Sequence, residues 1–468
     1  MGLSWPDGVH IVMMMVCAYN AGQAGATMKL GMRMKAGPVF RVFGVALLFG
    51  AMGLPAAEVA AQIVPGAVGQ PQQRDESRDK SENYDPKGLP LGGFRLFGGL
   101  EADEVFNDNI NATSNATGKQ AGFLQVINPT LELKSDWNNH GLSAYAKGGF
   151  GFNSVNGALN NYQDVSVGAD GRLDIQRNWN VYGGASWNRR HDEFGTPNTP
   201  NGIGFPLTVY NQSTANVGYF QAFNRLNVRL DGRFDNYNYL NNGLGPAQGV
   251  IPNSDRNRNE WREALRFGYE FSPGYEVWVR GSLNQRKYFQ VDTSGLDRSS
   301  NGFDVVGGMI VDLGGITSVE FFAGYLQQTY VSGQFSTIST PTFGLVGYWN
   351  PMRDLWVKPF IRRTLDDSAF QGTAAYISTA GGLDVNYHVR PNVRLDGHAD
   401  YAVADYTALS AGANNQYDQY LTFRVGAQYL LTPNFYLGPT YQFIHRTSNQ
   451  FNSDYDQNVV MLRLGARL

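Results

Sequence analysis

From Tyr417 to Leu468 the chain keeps an almost unbroken two-residue period. Leu421, Phe423, Val425, Ala427, Tyr429 and Leu431 alternate with Tyr420, Thr422, Arg424, Gly426 and Gln428. A Thr432-Pro433-Asn434 turn follows and the pattern resumes over 435–444. In the final segment Val460, Leu462, Leu464, Ala466 and Leu468 oppose Met461, Arg463, Gly465 and Arg467. Successive side chains of a strand point to opposite faces, so each segment has one apolar and one wet face. A soluble sandwich also alternates, but arginine at mid-strand and aromatic residues at strand ends fit a transmembrane β-barrel better. The apolar face then meets lipid and the polar face an aqueous lumen.

Eighteen such segments are legible, from 94–106 to 455–468. They are joined alternately by short turns (Arg177-Asn178, Asn224-Arg225, Pro273-Gly274, Pro391-Asn392) and by long loops such as 107–120, 193–209 and 241–257. That rhythm predicts an all-β, antiparallel up-and-down barrel with short periplasmic turns and long, solvated external loops. Beyond the N-terminal leader no run is long and apolar enough for a membrane helix. The net charge of -3 offers no basic surface for nucleic acid.

Upstream, residues 1–27 resemble no folded segment. The basic stretch from Met28 to Lys35, the apolar run Val39 to Leu54 and the small residues Val59-Ala60-Ala61 have the order of a secretory signal peptide cleaved after Ala61. The expected organisation is therefore 1–61 extension and signal peptide, 62–93 a flexible periplasmic tail rich in Gln, Pro and charge, and 94–468 the barrel. The single cysteine, Cys17, lies in the leader, so the barrel carries no disulfide, thiolate metal site or cysteine nucleophile.

The opening strands carry Phe97-Gly98-Gly99-Leu100-Glu101-Ala102-Asp103-Glu104-Val105-Phe106-Asn107-Asp108-Asn109-Ile110, then Asn128-Pro129-Thr130-Leu131-Glu132 and Asn161-Tyr162-Gln163-Asp164. These resemble the start of the β-barrel porins found with exopolysaccharide loci of Gram-negative bacteria. The resemblance spans about 94–468. It implies an outer-membrane barrel that helps surface polysaccharide cross the membrane, with the barrel insertion machinery, membrane lipid and a periplasmic export protein as partners.

No serine, histidine and acid set stands at a recognisable motif, and no cofactor or metal site is expected. His388 and His398, near Asp384, Asp396 and Asp400, are the nearest approach to an acid–base cluster. The lumen parity is more informative. It places Arg262, Arg266, Arg280, Arg394, Arg424, Arg463 and Arg467 inside with Tyr420, interleaved with acids such as Asp231 and Glu276. Closure brings the last strand beside the first, adding Arg95, with Glu101 the one opposing acid. That wall is expected to be basic and to favour anions. Leu464→Arg should then damage the barrel, and Arg463→Gln should be tolerated. The alternatives are a structural or adhesion barrel with a plugged lumen and, further off, a barrel hydrolase.

Overall fold

The computed structural model describes residues 84–199, 205–243, 250–409 and 415–468, with two short strands, Gly2–Ser4 and His10–Val12, that pair with each other. The expected signal peptide and residues 62–83 lie outside the described residues.

Eighteen strands close into one antiparallel barrel. The first six are β1 Phe94–Asn107, β2 Gly122–Ser135, β3 Gly141–Asn153, β4 Tyr162–Gln176, β5 Trp179–Asp192 and β6 Thr208–Phe223. The next six are β7 Leu226–Tyr239, β8 Arg258–Ser272, β9 Tyr275–Tyr288, β10 Ser300–Leu313, β11 Thr317–Tyr330 and β12 Ile338–Met352. The last six are β13 Leu355–Asp367, β14 Thr373–Arg390, β15 Val393–Leu409, β16 Tyr417–Leu430, β17 Phe435–Ser448 and β18 Tyr455–Arg467. Each pairs with its neighbour in sequence, and β18 returns to β1 with Arg467 opposite Gly99 and Val459 opposite Asn107. Closure covers the strand edges around nearly the whole wall, as an apolar solvent requires because it cannot satisfy an open strand.

The alternation is realised in space. Leu421, Phe423, Val425, Leu462 and Leu464 are exposed on the outside, while Thr422, Gln442, Met461 and Arg463 are buried on the inside. Both described ends of the barrel chain meet at the rim that carries the short turns. Two of those turns use left-handed backbone at Asn224 and Gly274, conformations that suit tight hairpins.

At this rim the barrel starts earlier than the sequence pattern indicates. Leu89–Leu91 pairs with Phe94–Leu96, on the edge of β1 that β18 no longer covers beyond Gly99. Residues 84–93, expected within the flexible tail, are therefore part of the folded unit.

One seam departs from the regular wall. β12 and β13 pair from Met352↔Leu355 up to Phe343↔Arg363, with a register shift between Trp349 and Met352 and a skip in pairing, in unchanged register, between Val346↔Phe360 and Trp349↔Val357. Pro359 sits in the skip and brings no N–H donor to the ladder. Beyond Arg363 the described residues show no pairing across this seam, although β11 still pairs with β12 as far as Gln328↔Ile338 and β13 with β14 as far as Asp367↔Ala375. There the β13–β14 hairpin swings into the lumen. Leu365, Ala375 and Ile377, which continue the lipid-facing parity, are buried against Tyr330 and Ile338 of β11 and β12 and against loop residues Leu296 and Phe335. The wall closes at this point by overlap, one layer inside the other.

Candidate functional site: the lumen

The loop half of the lumen is filled by the chain itself. The β5–β6 loop crosses from one wall to the other, since β5 and β14 stand nine places apart in a ring of eighteen. Asn198 Nδ2 donates to the Asp367 carbonyl at 2.9 Å and its Oδ1 accepts from the Ala369 amide at 2.9 Å. The Tyr406 hydroxyl donates to the Pro197 carbonyl, and the Tyr455 hydroxyl reaches the Gly195 carbonyl at 3.2 Å. Gly195 has φ +86, and a Cβ there would lie 2.4 Å from the Tyr455 hydroxyl. Both the backbone and the space require glycine. Phe194 and Leu207 of this loop pack with Ala112, Ile444 and Tyr455. The expectation that the long loops are simply solvated is thus corrected: their Asn, Gly and Pro content lets them turn inward and bond to the wall.

Arginines hold the swung-in hairpin. Arg298, only 2% exposed, donates to the Ser368 carbonyl at 2.7 Å and to the Asp255 carbonyl and carboxylate at 2.9 and 3.1 Å. Burial pushes the Asp255 carboxyl above its ordinary value, against the pull of Arg298. Arg286 Nη2 donates to the Leu365 carbonyl at 3.0 Å, the Tyr288 hydroxyl donates to Asp367, and Arg258 lies 3.6 Å from the same carboxylate. A buried guanidinium is stable when its donors are taken up, and here the hairpin carbonyls of Leu365 and Ser368 take one from Arg286 and one from Arg298.

The turn half is lined by charge and aromatic rings. Arg266 pairs with Glu276 at 2.8 Å, approaches Glu320 at 3.8 Å and lies over the Trp278 ring at 4.4 Å. Arg280 pairs with Asp304 at 2.7 Å. Arg262 stands on the same inner face, opposite Arg233. Arg424 stands opposite His398, whose ring nitrogens contact Asp384 at 2.7 Å and Asp400 at 2.8 Å. Tyr420 instead stands at the loop end of β16, beneath Arg446 at 5.7 Å from ring centre to guanidinium and packed against Tyr376 and Tyr406. Among the described residues no group of His, Cys, Asp and Glu could hold a metal ion.

The closing wall is less basic than its arginines imply. Arg463 grips Asp103 through Nε at 2.7 Å and Nη2 at 2.6 Å, and Nη1 lies 3.1 Å from Glu101. Glu101 is therefore not the single acid there: β1 offers Asp103 from the same face. Arg95, at the very rim, is exposed and paired with Asp136 at 3.0 Å. Arg394 and Arg467 remain at the mouth, where residues 84–85 meet them. Sequence reasoning missed the buried set Arg256, Arg258, Arg298 and Asp367. Its one signal was the doubled charges Arg362-Arg363 and Asp366-Asp367, which cannot both obey a two-residue period.

Residues 82–468 match the model of the family described as "Putative beta-barrel porin 2". The chain belongs to this family. It is accordingly an outer-membrane β-barrel of porin type, and the rim of short turns, where the barrel begins and ends, is periplasmic. The barrel is similar to OpdO of Pseudomonas aeruginosa at 16% identity and TM-score 0.42, covering 81% of this chain and 98% of that one. It is similar to a BenF-like porin of Pseudomonas fluorescens Pf-5 at 12% identity and TM-score 0.43, covering 81% and 100%. No curated protein matches the chain.

Proposed function

We propose that this porin is a conduit for anionic solutes, sugar acids above all. The observation that carries this reading is a recurring unit on the inner wall, a guanidinium laid over an aromatic ring. Arg266 over Trp278, Arg229 over Phe220, Arg362 over Phe360 and Arg467 over Tyr436 repeat it at 4.4 to 5.7 Å. The ring holds the guanidinium over its face, and the fork so placed matches the carboxylate of a sugar acid. Fixed charge of this kind in a water-filled passage enriches the opposite sign, modestly here because Glu276, Asp304 and Asp103 offset their arginines. Passage of an acidic surface polysaccharide is the extended form of the same reading, and it requires both the β13–β14 hairpin and the β5–β6 loop to leave the lumen.

Reversal potentials across planar bilayers under a salt gradient test the proposal. Anion preference that falls with ionic strength is expected; cation preference removes the reading. A second reading, a surface barrel whose lumen stays closed, is supported by the filled loop half. It predicts no conductance from protein that migrates as folded.

A further inference from the structure

Three rim arginines are met by one short piece of chain. Arg394 Nη2 donates to the Asp85 carboxylate at 2.7 Å, Arg467 Nη2 to the Tyr84 carbonyl at 2.7 Å, and Arg95 Nη1 to the Lys87 carbonyl at 3.3 Å. The segment is turned into the mouth by Gly88, whose φ is +66 and whose Cβ would lie 2.8 Å from the Phe97 ring. Arg394 is on β15 and Arg467 on β18, so residues 84–85 bridge a stretch of rim rather than one strand end.

We propose that Arg394 and Arg467 form a carboxylate seat at the periplasmic mouth, and that Asp85 is its tethered occupant, displaced by an incoming sugar acid. The proposal rests on the anionic-solute reading above and names where such a solute is first held. Asp85 fills the place a solute carboxylate would take: one oxygen on the fork of Arg394, with Arg467, bonded to the neighbouring Tyr84 carbonyl, supplying a second cation. The Arg394 side chain is only 11% exposed, whereas that of Asp85 is 46% exposed. Water and solute thus reach the seat from the side that Asp85 covers. Arg394 Nε is also buried without a protein acceptor, so the guanidinium has a donor that Asp85 does not use. A tethered group competes as an intramolecular ligand, at an effective concentration of about millimolar for a short link. A free sugar acid displaces it only by making more contacts than Asp85 does, which the unused Nε and the second guanidinium of Arg467 allow.

The test uses the full chain refolded in detergent, with sodium glucuronate as probe, glucose as the neutral control and saturation-transfer NMR as the readout of weak binding. Asp85→Asn, outside the barrel wall, should lower the apparent Kd for glucuronate by roughly two- to fivefold, the factor that a partly exposed ion pair represents. Arg394→Gln should abolish that gain in the Asp85→Asn background, and glucose should be indifferent to both changes. An equal Kd for the wild type and Asp85→Asn overturns the proposal, as does glucuronate binding that survives Arg394→Gln in folded protein. The binding readout needs no current. If glucuronate behaves as expected and bilayers show no conductance, the seat stands and the conduit falls. If anions pass and Asp85→Asn changes nothing, the conduit stands and the seat falls.

Discussion

Arg463 and Asp103 join the last strand to the first by a two-pronged pair, Nε to Oδ1 at 2.7 Å and Nη2 to Oδ2 at 2.6 Å. Both side chains are less than a tenth exposed. Neutralising one partner of such a pair leaves the other charge buried and costs about 3 kcal/mol. Arg463→Gln should therefore lower the temperature at which the folded, fast-migrating band is lost on gels, contrary to the tolerance that its polar parity suggests. Adding Asp103→Asn should recover part of the loss. A band indistinguishable from wild type in Arg463→Gln would show that the pair contributes nothing to closure.

Leu464 shows the opposite face of the same strand. It is 57% exposed outward, paired with Leu437 and Ala102. Arginine on the lipid face of a barrel costs roughly 2 to 4 kcal/mol at the bilayer midplane and less toward an interface, so Leu464→Arg, three residues from Arg467, should cut the yield of folded protein in lipid vesicles. Recovery in detergent micelles should be better, because a micelle admits water to the introduced charge.

Removing the Asp367 carboxylate should loosen the swung-in hairpin. Asp367→Asn weakens the hold of Tyr288 and Arg258 on that side chain, while Arg286 and Arg298 still bond to backbone carbonyls nearby. Single-channel records should show larger or more frequent openings than wild type, and a double change with Arg298→Gln should enlarge the effect. Unchanged conductance in the double variant would mean that the hairpin does not limit the passage.

Gly195→Ala addresses the crossing loop. A non-glycine residue in left-handed backbone costs about 1 to 2 kcal/mol, and its Cβ has the Tyr455 hydroxyl in its way. The expected outcome is a loop released from Tyr455, seen as faster proteolysis within 193–207 with the barrel band intact.

The barrel was legible because period two is a statement about both faces at once. Leu462 and Arg463 each fix the orientation of the other, and eighteen such segments with alternating connection lengths leave one topology. The filled lumen was not legible, because burial inside a wet barrel uses the residues that also suit water. Asn198, Gly195 and Arg298 read as loop chemistry until their partners on distant strands are known. The β13–β14 hairpin lay between these cases. Thr373 to Ala380 sets Tyr376 and Ile377 side by side among small residues, without alternation, and Arg363 follows Arg362 on what should be the lipid face. In the structure Arg363 is tucked into the overlap, donating to Thr379 Oγ1 at 2.7 Å and Thr340 Oγ1 at 3.4 Å. The basic rim was legible as arginines, but the segment that covers it was read as tail, since two polar contacts from Tyr84 and Asp85 leave no periodic trace.

The overlap of β13 on β12 gives this barrel a mechanical property that a fully laddered one lacks. A ring of continuous main-chain bonds resists any change of circumference, because stretching it breaks a ladder. Here the loop end of one seam has no ladder: its inner leaf bears on Tyr330 and Ile338 through Leu365 and Ile377. Non-directional contacts of this kind tolerate slip, and side-chain bonds such as Thr342 Oγ1 to the Arg363 carbonyl at 2.9 Å limit how far it can go. The loop-side collar of the barrel is therefore less constrained in circumference than the wall below Phe343 and Arg363, where main-chain pairing takes up across the seam.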